Sequence, residues 1–380
     1  MNTFARGGAL AVSLWCIAAA VAAAPLQIRS LTMKPPAAAK DLPAYAEGWA
    51  EGSIKMPFVV ADSPAVAARI NGALFLGLMG MAAPAKPGES FSPLAEQLPD
   101  GTASQEFQLT RNDDRVLTIT FSSEGCGAYC ENHDTDYNFD ARNGRALALE
   151  DLFAPPALST VAQRIGKERE RRYADQLKAL KKELATQQKA HAKADEIEDT
   201  HQRIELNQEC FERERGSPGT AEYLRYVGFS LEGGSVAFRT GRCSNHASRA
   251  LDDVAEIVVT LTPAELRPLL TPYGRALVLN QGDVPPPASP FGQILHGKIG
   301  GAPVTLLLDR ENSDGSVTAH YFYDRYGRMI PLSGKRNGNT LALTEDVDGN
   351  KAELSLTVRG NAVTGQWQGN GKSLPVALDW

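Results

Sequence analysis

Cys126 and Cys130 bracket a short loop, Gly125-Cys126-Gly127-Ala128-Tyr129-Cys130, and Glu124, Glu131 and His133 lie beside it. Three chemistries are open to residues of these types. Two cysteines this close can form a local disulfide. Cysteine with histidine can hold zinc, and His246 stands near the later cysteine Cys243. Two carboxylates flanking one loop are the pair that glycoside cleavage uses, one as proton donor and the other as base or nucleophile. The disulfide is the expected outcome. Zinc ribbons show two close cysteine pairs, whereas this chain has one C-x3-C and then the isolated Cys210 and Cys243. Nothing in the spacing selects Glu124 and Glu131 from the 45 acids as a catalytic pair. Glu124, Tyr129, Glu131 and His133 therefore form a candidate binding surface, with no catalytic residue, cofactor or metal assigned.

The chain's first residues give the cysteines a compartment. Arg6 is followed by the uncharged apolar run Ala9 to Val21 and by Ala22-Ala23-Ala24, the pattern of a cleaved secretory signal over 1–24. The run is short of the roughly 20 residues that span a bilayer. Stable membrane insertion after cleavage is not expected. Export to the periplasm makes Cys126, Cys130, Cys210 and Cys243 disulfide partners. Three connectivities exist. The expected one is Cys126–Cys130 with Cys210–Cys243, because the first pair can close locally. The chain carries 39 Lys+Arg against 45 Asp+Glu. Loss of Arg6 with the signal makes it one unit more acidic. Nucleic acid is an unsuitable partner for such a surface.

Most elements that would position the loop are readable. Residues 25–45, with Pro35-Pro36, read as an arm or edge strand, and Ile54 to Val60 as a strand. Ser63-Pro64 opens a helix, with Ser63 as cap and Val66, Ile70, Leu74 and Leu78 on one face. Residues 82–104 read as a loop. Leu117, Ile119 and Phe121 alternate with Thr118, Thr120 and Ser122, so one face is expected buried and the other wet. Asp134, Asp136, Asn138 and Asp140 fall on the wet face of the next strand. They miss the calcium-loop pattern, because Phe139 and Arg145 stand where glycine and glutamate are needed. Asn143-Gly144 is expected to make a type I′ turn, with Leu147 and Leu149 returning beyond it. Glu232-Gly233-Gly234 marks a hairpin, and Thr262 with Glu265 a capping box.

Two segments differ in character. Residues 157–215 are dense in charge and read as one or two long helices, with Tyr173, Leu177, Leu180 and Leu184 as one seam and Ile197, Ile204 and Phe211 as another. After the Pro-rich stretch 284–290, Phe291 to Trp380 shows eight short alternating runs separated by turn residues, a meander that must remove its edges by curling or closing. Its aromatics Tyr321, Phe322, Tyr323, Tyr326, Trp367 and Trp380 either fill a core or line a cavity. The expected fold class is α+β. An antiparallel sheet packed with helices over 25–283 carries a charged helical insertion at 157–215, and a small all-β meander or barrel follows over 291–380.

Several of these residues carry a resemblance. Ile70-Asn71 within its helix, Tyr137-Asn138-Phe139-Asp140 with the Asn143-Gly144 turn, Leu149-Glu150-Asp151-Leu152-Phe153 and the closing strand and helix from Glu256 to Leu270 resemble a secreted module. It is similar to the non-catalytic N-terminal domain of PdaC-type peptidoglycan deacetylases and to the extracellular domain of lysozyme-sensing anti-sigma factors. The likeness covers about 50–275, with the helical segment as an insertion. Family members carry a Gly-Gly-Ala-His type of loop where this chain has its cysteine-bracketed loop, so no ligand contact transfers. The resemblance implies the fold and an exported envelope-binding role, with an envelope glycan or a protein partner such as a lysozyme-like hydrolase as ligand. An enzyme or accessory subunit acting on peptidoglycan or another polysaccharide is the alternative.

Overall fold

The computed structural model describes residues 25–34, 54–86, 88, 90–91, 102–126, 130–216, 219–245, 247–312, 314–347 and 349–380. The segment 1–24, expected to be a signal, and Tyr129 and His246 lie outside the described residues. The chain is α+β, as expected, and ends in a closed antiparallel barrel.

Strand β1 (Gln27–Met33) lies between β2 (Lys55–Val60) and the two-residue β3 (Ser90–Phe91). It is a central strand, not an arm or an edge, because Leu31 and Met33 supply apolar anchors to the sheet's buried face. Helix α1 (Pro64–Met79) covers this sheet. Pro64 occupies its first turn, but the Ser63 side chain makes no capping bond. A left-handed Gly80 ends it (φ 57°). Burial extends past the expected stripe to Asn71, Phe75, Leu76 and Met79. A helix buried this widely has partners on more than one side.

The second sheet is β4 (Thr102–Asn112), β5 (Val116–Cys126) and β6 (Cys130–Asp140); the third is β7 (Gly228–Glu232), β8 (Ser235–Thr240) and β9 (Ile257–Leu261). Here the wet-face expectation holds at Ser122, which is exposed, and fails along the rest of the ladder. Leu117, Ile119 and Phe121 are buried, and so are Thr118, Thr120, Asn138 and Asp140. The polar rungs bond across the β5–β6 ladder, Thr118 Oγ1 to Asn138 at 2.9 Å and Thr120 Oγ1 to Asp136 at 2.6 Å. The third sheet packs over them. Asn138 donates to the Phe229 carbonyl at 2.7 Å and accepts from the Leu231 amide at 3.1 Å. Arg239 stands 3.3 Å from Asp134 and 3.6 Å from Asp136. This face is polar because it joins two sheets.

The turn after β6 also departs from expectation. Gly144 is left-handed (φ 80°) but Asn143 is not, and both amides reach back to the Asp140 carbonyl. The result is a longer turn than type I′, with a single Ala146 bridge to Phe139 and then the short helix α2 (Leu149–Leu152) in place of a returning strand. The hairpin at Gly233-Gly234 forms as expected with both glycines at positive φ. Thr262 and Glu265 form the capping box of α5 (Pro263–Leu266).

The charged segment is an antiparallel pair, α3 (Pro155–Lys189) and α4 (Ala194–Gly216). Its base is fixed to the sheets. Arg169, 6% exposed, donates to Thr240 and to the Gly241 carbonyl and pairs with Glu214 at 2.6 Å. The Tyr173 hydroxyl accepts from the Cys243 amide at 3.3 Å, and burial pushes its pKa up to about 12. From residue 181 to residue 199 nothing is buried, so the tip stands clear.

Helix α6 (Pro272–Val278) leads to the barrel strands β10 (Gln293–Ile299), β11 (Ala302–Glu311), β12 (Ser316–Tyr323), β13 (Ile330–Asn337), β14 (Thr340–Val347), β15 (Asn350–Arg359), β16 (Ala362–Gly369) and β17 (Lys372–Asp379). Each strand pairs with the next, and β17 closes on β10. Alternate residues such as Leu306, Leu308, Leu341, Leu343, Leu354 and Leu356 fill the interior. Inward Gly297, Gly334 and Gly365 allow close strand approach. A Cβ on them would fall 2.0, 1.9 and 1.9 Å from the carbonyl oxygens of Ala377, Ala342 and Ser355.

Candidate functional site

The cysteine loop is built as a staple. Cys126 and Cys130 face each other at the end of the β5–β6 ladder and are joined, as are Cys210 and Cys243. All four sulfurs are thus bonded in pairs, and Glu124, which lies within 4.8 Å of Cys126 and Cys130, has no thiolate beside it. Register separates the two acids. Glu124 opposes Asn132, on the same face as the disulfide, while Glu131 opposes Gly125 and His133 opposes Ser123, on the other face. Glu131 is committed elsewhere: its Oε1 is 3.2 Å from Arg242 Nε and 3.9 Å from Arg249 Nε. Arg249 also donates to the Cys130 carbonyl at 3.1 Å. This network ties the loop to the segment after β8, where the second disulfide sits. His133 is exposed. Glu124, Glu131 and His133 do not converge on one cleft.

Clefts lie along the seam between the α+β module and the barrel, and a further hollow of about 440 Å³ lies on the α3–α4 tip, lined by Ala179, Glu183 and Ala190 among others. Three adjacent barrel strands point apolar residues outward: Ile294 on β10, Leu307 on β11 and Phe322 on β12. They belong to the same buried cluster as Phe58, Ile70 and Leu74. Helix α1 approaches so closely that a Cβ on Gly72 would meet Ile294 Cγ1 at 3.2 Å. Asn71 pins α1 to β2 by accepting from the Val59 amide at 2.7 Å and donating to the Val59 carbonyl at 2.9 Å. The Pro-rich stretch is strapped to the module as well. Arg145, 1% exposed, donates to the Pro287 and Ser289 carbonyls and pairs with Asp151 at 2.8 Å. Its neighbour Arg142 holds buried Asp140 and reaches Asp283. The Asp140 carboxylate also accepts from the Tyr273 hydroxyl at 2.8 Å; burial, then that carboxylate, lifts the phenol far above its ordinary range.

Two clefts open on this seam. One, about 350 Å³, is charged and lined by Arg145, Glu150, Asp151, Asp309, Arg310 and Glu311 among others. Much of its charge is paired internally. Arg145 meets Asp151, Arg336 meets Glu311 at 2.7 Å, and His320 Nδ1 stands 2.6 Å from Asp309 Oδ2. Contact with Asp309 raises the His320 pKa against the opposing effect of burial. Burial, then Asp309, pushes Tyr137 up to about 12.

The other cleft, about 500 Å³, is apolar on most sides. Phe58, Val60, Ala67 and Pro84 wall it from the module, and Ile294 and Phe322 from the barrel. One rim is polar, where Thr305 Oγ1 donates to Asp324 Oδ1 at 2.9 Å and lies 3.2 Å from His296 Nδ1. Sequence reasoning did not find this site, since the three polar residues of its rim, His296, Thr305 and Asp324, come from separate elements. A partial signal existed in Val304 to Leu308, an almost unbroken apolar run, which reads as a strand covered on both faces. Of the aromatics, Phe322 faces the cleft, while Tyr321 and Trp367 fill the barrel interior with the Glu345 carboxylate between them.

No family model matches the chain, and no curated protein or solved structure matches it either. Among the described residues, no helix is long and apolar enough to cross a membrane.

Proposed function

We propose that this is an exported binding protein of the cell envelope, with no catalytic activity of its own, placed in the periplasm by its N-terminal signal. Its ligand is an envelope glycan or a protein partner such as a lysozyme-like hydrolase, which is the role implied by the resemblance to the secreted module of peptidoglycan deacetylases and anti-sigma factors.

The observation that carries this reading is the seam. Arg142 and Arg145 strap the 283–289 stretch to the module, the Ile294–Leu307–Phe322 face packs against the module's core, and the joint leaves clefts of about 350 and 500 Å³ between the two parts. Largely preformed concave sites at the junction of two structural units are where ligands are commonly held. Both disulfides support export. Glu124 and Glu131, the acids a hydrolase reading would use, face opposite sides of their ribbon, which favours binding over cleavage.

Retention of the full mature chain on immobilised peptidoglycan fragments and on immobilised lysozyme tests the proposal. At least one surface should retain it. Failure on both would overturn the envelope-binding role.

A further inference from the structure

The apolar cleft has one polar rim, and the hydrogen-bond polarity of that rim can be worked out. The ionised Asp324 carboxylate can only accept, so Thr305 gives its single hydroxyl proton to Asp324 Oδ1. The contact between Thr305 Oγ1 and His296 Nδ1 must then be donated by the ring nitrogen. In the neutral ring this leaves Nε2 as a lone-pair acceptor. The sequence is His296 Nδ1–H to Thr305 Oγ1–H to Asp324 Oδ1. It presents two further acceptors, His296 Nε2 and Asp324 Oδ2, which have no partner among the described residues. Asp324 makes no ion pair among those residues, and no lysine or arginine lines the cleft. The rim therefore offers acceptors and a negative charge, while the walls offer aromatic and aliphatic carbon.

We infer that the cleft takes a small amphipathic cation, a compact apolar body carrying one ammonium or guanidinium group. A body of naphthalene size fits about 500 Å³ of space with Phe58 and Phe322 among its walls. The cationic group meets the Asp324 carboxylate by a charge-assisted hydrogen bond and His296 Nε2 by a second one. An alcohol of the same shape keeps the walls but loses the charge. A carboxylate faces Asp324 with like charge. This inference rests on the proposed binding role only in treating the seam as a recognition site.

The experiment uses three probes with one apolar body, 1-naphthylmethylamine, 1-naphthylmethanol and 1-naphthoate, titrated calorimetrically at pH 7.5 into the full mature chain and two variants. The amine should bind about tenfold tighter than the alcohol, and the carboxylate weakest. Asp324→Asn, at an exposed position, should erase the amine's advantage over the alcohol. Ala68→Trp, an exposed α1 position on the cleft wall, should abolish binding of all three. Circular dichroism melts confirm that both variants fold. Equal binding of amine and alcohol, an amine preference that survives Asp324→Asn, or no binding of any probe would overturn the inference. Any of those outcomes alongside retention on peptidoglycan or lysozyme would discard the cation and keep the binding role.

Discussion

The α+β module and the barrel solve burial in opposite ways. In the barrel, the alternating apolar residues point into one interior, and the polar ones stay in water along most strands. In the module, both faces of β5 are covered, one by hydrophobic packing and one by a layer of hydrogen-bonded Thr118, Thr120, Asp136 and Asn138 under the third sheet. The module carries both disulfides, and the barrel sequence contains no cysteine. A closed barrel has no edges to protect. Three small open sheets do, so they are joined by polar rungs, buried arginines and covalent links. The two systems meet where the barrel gives up its alternation, at Ile294, Leu307 and Phe322.

Breaking each device separately sharpens the contrast. Replacing Cys210 and Cys243 together by alanine opens a link between positions 33 apart and should cost about 4 kcal/mol. The same change at Cys126 and Cys130, 4 apart, should cost roughly 2 kcal/mol. Urea denaturation measures both, and hydrogen exchange should show the loss in the module while barrel strands keep their protection. Gly365→Ala is the reverse case. Its Cβ would overlap the Ser355 carbonyl, so a loss of about 3 kcal/mol is expected, with barrel protection falling first. Asn138→Ala removes the bonds to Thr118, Phe229 and Leu231 and leaves buried groups unpaired, for a cost near 2 kcal/mol confined to the module.

The smallest effect belongs to the seam itself. The His320 pKa is raised in the folded protein by Asp309. A raised value means that the folded state binds the proton more tightly than the unfolded one. This stabilisation is fully present below the ordinary histidine value of about 6.5 and fades as pH rises through the higher folded value. Urea midpoints of the wild type, from pH 5.5 upward, should therefore include a decline that His320→Gln removes.

The strands, helices and disulfide pairs were largely legible because each is set locally, by period, turn glycines and loop length. The eight barrel runs, the Gly233-Gly234 hairpin and the Thr262–Glu265 cap are of this kind. Period two, however, says that a strand has two faces and not which of them meets water. That is why Asp136 and Asn138 read as wet when a second sheet lies over them. The clefts were illegible for a related reason. His296, Thr305 and Asp324 come together only after the barrel closes, and Phe58 joins them only after the barrel docks on α1. A single residue, Glu131, shows the converse. Its position beside a cysteine loop looked like a binding feature, yet Arg242 and Arg249 hold it as structural cement.

The central claim is that ligand is held at the seam and not on the projecting tip of the α3–α4 pair. Hydrogen exchange of the full chain, with and without saturating peptidoglycan fragments or lysozyme, tests it most directly. Added protection in residues 58–72 and in β10 to β12 is the predicted result. Protection confined to residues 181–199, or no change anywhere, would contradict it.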